Sequence, residues 1–177
     1  LGTVAIVEAV AARKFDCPLV IDPVMVGKHG GLLMDRDARE ALVRLLFPRA
    51  ALVTPNLDEV RELTGIEVRD VAQMNEAAKR VADLGPSSVL VKGGHLEGPE
   101  AVDVLWHAGD FLELRTPRIE SRHTHGTGCV YSAAITAGLA LGHSVPGAAR
   151  QAKAFVHHAI RTAAGLGAGH GPLNLDP

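Results

Sequence analysis

Apolar residues at Val4, Val7, Val10 and Ala11 recur at helical spacing behind Thr3, a residue suited to capping, and predict a first helix. CPLVIDP is a short apolar run closed by Asp-Pro, the pattern of a buried parallel strand. The Gly-rich stretch VMVGKHGGLLM predicts a mobile loop. A helix follows from Asp35 to Leu46, with Leu42, Leu45 and Leu46 on one side. AALVTPN repeats the strand-then-Pro pattern, and LDEVRELTG predicts a short helix ended by Gly65. Residues 72–84 form another helix, and SSVLVKGG is a third short apolar strand running into glycines.

The period then changes. AVDVLWH and FLELRTP, separated by Ala-Gly-Asp, predict two antiparallel strands joined as a hairpin. Two Ala-rich helices, 128–141 and 145–164, and a Gly/Pro tail complete the chain. Strand and helix alternate for most of the length, so the expected class is α/β with a mainly parallel sheet flanked by helices. One domain is expected, since 177 residues suffice to bury a core without disulfide staples.

Composition narrows the function classes. A hydrophobic share of 47% against 21% charged excludes a disordered chain. Net charge of -2 and only six aromatics give no basic field and no stacking platform, so no nucleic-acid partner is expected. No apolar run reaches membrane-spanning length, and LGTVAIVEAVAARK lacks the positive head of a signal peptide. Cys17 and Cys129 cannot build a disulfide framework and fit a reducing, cytoplasmic setting. In its apolar strand entry, Cys17 is expected to be a buried small hydrophobe.

In open α/β sheets, ligands bind beyond the carboxyl ends of the strands. Three such ends carry polar residues: Asp22 after PLVI, Thr54 to Asn56 after ALV, and Lys92 after SVLV. Each alone could be a turn or a cap; three at one edge point to a crevice. Asn56 and Glu59 share one face of a first helical turn, where they form a capping box or, with Asp22, offer oxygen ligands to a hard cation. Further on, Gly126 and Gly128 flank Thr127 immediately before a long apolar helix. Glycines there let the backbone approach a ligand, and the first-turn N–H groups with the positive dipole end make an anion hole. Cys129 lies in the same turn, a setting that favours a thiolate. Nine histidines lack zinc spacing, and GKHGG lacks the Ser/Thr of a phosphate-binding loop, so neither carries a site.

DPVM (22–25), TPNLDE (54–59), VKGGH (91–95), PRI (117–119) and HGTGC (125–129), in this order, resemble hydroxymethylpyrimidine and phosphomethylpyrimidine kinases. These form the thiamine-biosynthesis branch of the ribokinase superfamily, and the likeness covers essentially the whole chain. It implies a ribokinase-like fold and ATP-dependent phosphorylation of the pyrimidine hydroxymethyl group, then of the monophosphate. By the same resemblance Asp22, Asn56 and Glu59 surround Mg²⁺, and Lys92 lies on the nucleotide phosphates. Gly126, Thr127, Gly128 and Cys129 form the anion hole, with Thr127 also on the nucleotide. Cys129 sits nearest the acceptor oxygen, where sugar-kinase relatives carry Asp, and the Val24 backbone contacts the pyrimidine. A homodimer is implied.

Members of that family carry further N-terminal elements, including a first strand with a Gly-rich loop. Residues 1–177 are therefore expected to be a single ribokinase-like kinase domain that is incomplete at its N-terminus. Two other readings stay open: a pyridoxal or other B-vitamin kinase of the same superfamily, and a nucleotide-binding remnant without turnover.

Overall fold

The computed structural model describes residues 1–25, 27, 31, 33–165 and 169–176. Helices start where a short polar side chain can take an orphan N–H. Thr3 caps α1 (Val4–Ala11), and Asp35 caps α2 (Arg36–Leu45), accepting from Ala38 N at 2.7 Å. Asn56 caps α3 (Leu57–Thr64), which ends on Gly65 at φ 75°, a conformation that costs a side-chain-bearing residue more. Asp70 caps α4 (Val71–Ala82), and Ser144 caps α6 (Val145–Arg161). Helix α5 (Thr127–Ala140) differs: its cap is Gly126 at φ 82°, with no side-chain hydrogen bond.

Five strands, β1 (Val20–Ile21), β2 (Leu52–Val53), β3 (Ser88–Lys92), β4 (Glu100–His107) and β5 (Asp110–Pro117), form one sheet in sequence order. The first three pair in parallel; β3–β4 and β4–β5 are antiparallel. The α/β class holds, and the sheet is mixed. A parallel neighbour needs a crossover of a dozen residues or more, whereas only residues 93–99 link β3 to β4, so the chain folds straight back. The hairpin turn is Ala108-Gly109, both at positive φ (52° and 91°), as a two-residue I′ turn requires. Asp110, expected in the turn, instead pairs with His107 as the first residue of β5.

Alternation along the strands builds two cores. Val53, Val89, Val91 and Val104 pack with Val7, Leu42, Phe47, Met74 and Val81 on the α1, α2 and α4 side. Leu52, Leu90, Leu105 and Leu114 pack with Tyr131, Ile135, Ala149 and Val156 of α5 and α6. Leu90 is fully buried, and its truncation to Ala costs about 2–5 kcal/mol. Cys17 is exposed, contrary to expectation, because β1 begins only at Val20. No described helix is long and apolar enough to cross a membrane.

Candidate functional site

Backbone pairing continues past the short parallel strands. Thr54 N donates to Ile21 O (2.9 Å), Lys92 N donates to Pro55 O (2.8 Å), and Asn56 bridges Lys92 in parallel. Asp22, Thr54, Asn56 and Lys92 therefore stand side by side at one sheet edge. Lys92 Nζ donates to Asp22 Oδ1 at 2.8 Å, with the two side chains only 11% and 14% exposed. Thr54 Oγ1 lies 3.4 Å from the same Asp22 oxygen and 2.8 Å from Ser132 Oγ, and Ser132 reaches Gly128 O at 3.1 Å. This buried hydroxyl pair ties the strand ends to the first turn of α5.

Asn56 and Glu59 make a full capping box: Asn56 Oδ1 accepts from Glu59 N (2.9 Å) and Glu59 Oε2 from Asn56 N (2.7 Å). Glu59 Oε1 also accepts from Met25 N at 3.3 Å, so this buried carboxylate holds the 22–25 segment to α3. Burial pushes the Glu59 carboxyl above its ordinary value; the Lys92 charge and the two N–H donors pull it back, and Asp22 pushes it up. Among the described residues no three His, Cys, Asp or Glu cluster as a metal cage. Both Glu59 oxygens and the Asn56 oxygen already accept backbone N–H groups. The set thus fits a hard cation met through water.

Val24 is 39% exposed at φ 44°, a conformation rare for a β-branched residue. Its neighbour Met25 is fixed on both sides, by Glu59 and by Leu33 N on Met25 O (2.9 Å). Of the stretch expected to be a mobile loop, Val26, Lys28, His29, Gly30 and Leu32 lie outside the described residues; Gly27 N donates to Gly31 O at 2.8 Å.

Gly126, Thr127, Gly128 and Cys129 form the first turn of α5, and Cys129 is exposed there. Thr127 Oγ1 is turned back onto Thr124 O at 2.7 Å. A Cβ on Gly128 would stand 3.2 Å from Lys92 Nζ, so this turn and the ammonium are in close approach. Lys92, Asp22, Thr54, Asn56, Glu59 and Gly128 are thus brought together, with Cys129 one residue further along the turn.

Further contributors escaped the sequence reading. Asp103, 3% exposed in β4, accepts from Gly93 N (2.9 Å) and from Lys153 Nζ of α6 (2.6 Å). Burial and this carboxylate together raise the Tyr131 phenol well above its usual range. Arg118, just past β5, spreads its guanidinium over the loop after Lys92. It donates to Gly94 O and Gly98 O (2.8 Å each), to Glu100 O (3.2 Å) and to Leu96 O. In AVDVLWH the alternation puts Asp103 on the face opposite Val102 and Val104, and nothing in the sequence shows that α6 covers that face.

The phosphomethylpyrimidine kinase family model matches residues 1–174. A hydroxymethylpyrimidine/phosphomethylpyrimidine kinase of Streptomyces coelicolor is 46% identical over 176 residues, covering 98% of this chain and 65% of the relative. The corresponding Haemophilus influenzae protein is 41% identical, with 98% and 67% covered. A solved pyridoxal kinase from Staphylococcus aureus, in complex with ADP, superposes with TM-score 0.90 at 34% identity, over 99% of this chain and 65% of that one. Phosphomethylpyrimidine kinase from Clostridium difficile gives TM-score 0.76 at 36% identity, over 90% and 66%. The chain spans about two thirds of the length of these relatives. With a family match running nearly end to end, and these motifs gathered at one sheet edge, the chain belongs to the phosphomethylpyrimidine kinase family.

Proposed function

We propose that the protein is a cytoplasmic, homodimeric kinase that uses ATP to phosphorylate 4-amino-5-hydroxymethyl-2-methylpyrimidine and then its monophosphate in thiamine biosynthesis. The observation that carries this reading is the approach of Lys92 Nζ to Gly128, which puts a cation beside the uncapped first turn of α5. Phosphoryl transfer needs positive charge and in-line placement more than covalent help. Here Lys92 leaves Asp22 to meet the terminal phosphates, and the N–H groups of Gly128 and Cys129 face the same oxygens, with Gly126 and Thr127 shaping the turn. Cys129 Sγ takes the proton of the acceptor hydroxyl as its oxygen bonds to phosphorus and the bond to ADP breaks. Asp22, with Asn56 and Glu59 through water, would hold a magnesium ion, which would supply compensation of phosphate charge. The Val24 backbone borders the pyrimidine.

A second reading, pyridoxal kinase, is favoured by the higher TM-score to the Staphylococcus aureus structure. A coupled ADP-release assay on the full-length protein with hydroxymethylpyrimidine, its phosphate and pyridoxal separates them. Magnesium-dependent turnover of the two pyrimidines is expected. Turnover of pyridoxal alone supports the second reading, and ATP binding with no turnover identifies a nucleotide-binding remnant.

A further inference from the structure

Lys92 and Asp103 are direct cross-strand partners in the β3–β4 ladder. They share a sheet face with Leu90 and Leu105, two residues away on each strand, which pack against α5 and α6. Side chains so opposed stand with Cβ atoms ~4.5–5.5 Å apart, and opposite charges there attract. Yet the two do not pair. Lys92 reaches sideways to Asp22, while both Asp103 oxygens are occupied, Oδ1 by Gly93 N–H and Oδ2 by Lys153 Nζ.

A buried carboxylate must find a cation or leave its charge uncompensated. Without Lys153, the cation directly opposite Asp103 is Lys92, whose four-methylene stem can swing. Tyr131 OH, near Asp103, brings no charge. We propose that Lys153 is a positioning residue: by occupying Asp103 it prevents that carboxylate from capturing Lys92, and so keeps Lys92 at Asp22 and Gly128. The consequence for rate rests on the phosphotransferase reading above; the choice of ion-pair partner does not.

A purely structural Lys153 and this role differ in one respect. If Lys153 only packs, a second substitution at Asp103 adds damage. If it restrains Asp103, Asp103→Asn repairs the loss, because Asn keeps the acceptor for Gly93 N–H and drops the charge. The test compares wild type, Lys153→Met, Asp103→Asn and the double variant in the full-length protein, with Lys153→Gln as the alternative should the Met variant not fold. Lys153→Met is expected to lower kcat by ~10-fold or more with little change in ATP KM, and the double variant to recover to within about threefold of wild type. A Lys153→Met enzyme within about twofold of wild type, or no recovery in the double variant, overturns the proposal.

Lysine Cε–Hε NMR, with the Lys92 signal assigned by Lys92→Arg, gives a readout without turnover. In the wild-type background this signal is expected to move on Asp22→Asn; in the Lys153→Met background it is expected to move on Asp103→Asn instead. Should the wild type phosphorylate none of the three substrates, the proposed function fails and this comparison alone decides. A Lys92 signal that follows Asp22→Asn in both backgrounds overturns the proposal.

Discussion

Gly128→Ala separates the fold from the chemistry. The added methyl would stand 3.2 Å from Lys92 Nζ and 4.0 Å from its Cε, touching only the end of a flexible side chain. The ammonium yields by a few tenths of an ångström. Stretching its pair with Asp22 from 2.8 Å to about 3.2 Å costs ~0.7 kcal/mol at an effective dielectric constant of about 20. Replacing a helical Gly by Ala returns up to ~1 kcal/mol. The two nearly cancel, so Tm is expected to stay within ~2–4 °C of wild type. Activity has no such compensation. The methyl fills the space between the ammonium and the first turn of α5, where the transferring phosphoryl is proposed to lie, and kcat is expected to fall ~10–100-fold. Thermal unfolding and coupled ADP release on the same preparation give both numbers. Full kcat at unchanged Tm refutes the placement of the phosphoryl between Lys92 and Gly128; a Tm fall of ~10 °C refutes the steric account.

Cys129→Ala is expected to lower kcat by ~10²-fold with ATP binding nearly unchanged, and Cys129→Asp to keep partial activity, both read by steady-state kinetics and nucleotide titration. Glu59→Gln offers one oxygen where two N–H groups now find acceptors, so a loss of ~1–3 kcal/mol and a higher magnesium requirement are expected. Because burial raises the Glu59 pKa, its contribution to stability is fully present below the ordinary value of 4.5 and declines as pH rises through the folded value. Melting curves from about pH 4 to about pH 7 should show that decline in wild type and not in the Gln variant. Ala108→Asn suits the positive φ at that position and should raise stability by ~0.5–1 kcal/mol in denaturant titration, without altering kcat.

All the helices but α5 begin on a side chain with one local job, which made them legible: Thr3, Asp35 and Asn56 act within three residues of themselves. The site's edge was legible for the same reason, since Asp22, Asn56 and Lys92 each follow an apolar run that can only be a buried strand. Asp103 and Lys153 were not, because their meaning depends on sheet order and on a helix 50 residues away. A strand pattern gives the alternation of faces but not which face another layer will cover. Thr54 was visible as a strand-end residue, but its pairing with Ser132 was not: a hydroxyl pair 78 residues apart leaves no periodic trace.

The loop between β3 and β4 takes part of its shape from outside itself. Three of its carbonyls, and that of Glu100 at the start of β4, converge on Arg118, a residue that follows β5 in the chain. The turn carries local instructions in Gly93, Gly94, Gly98 and Pro99, and adds to them a planar fork that no lysine reproduces. The loop can therefore change only where neither kind of restraint acts: a Cβ on Gly93 would collide with Val102 O, Gly98 sits at φ 124°, and the fork must keep its carbonyls. The course of the segment next to Lys92 thus depends on the β4–β5 hairpin, which delivers Arg118 to it.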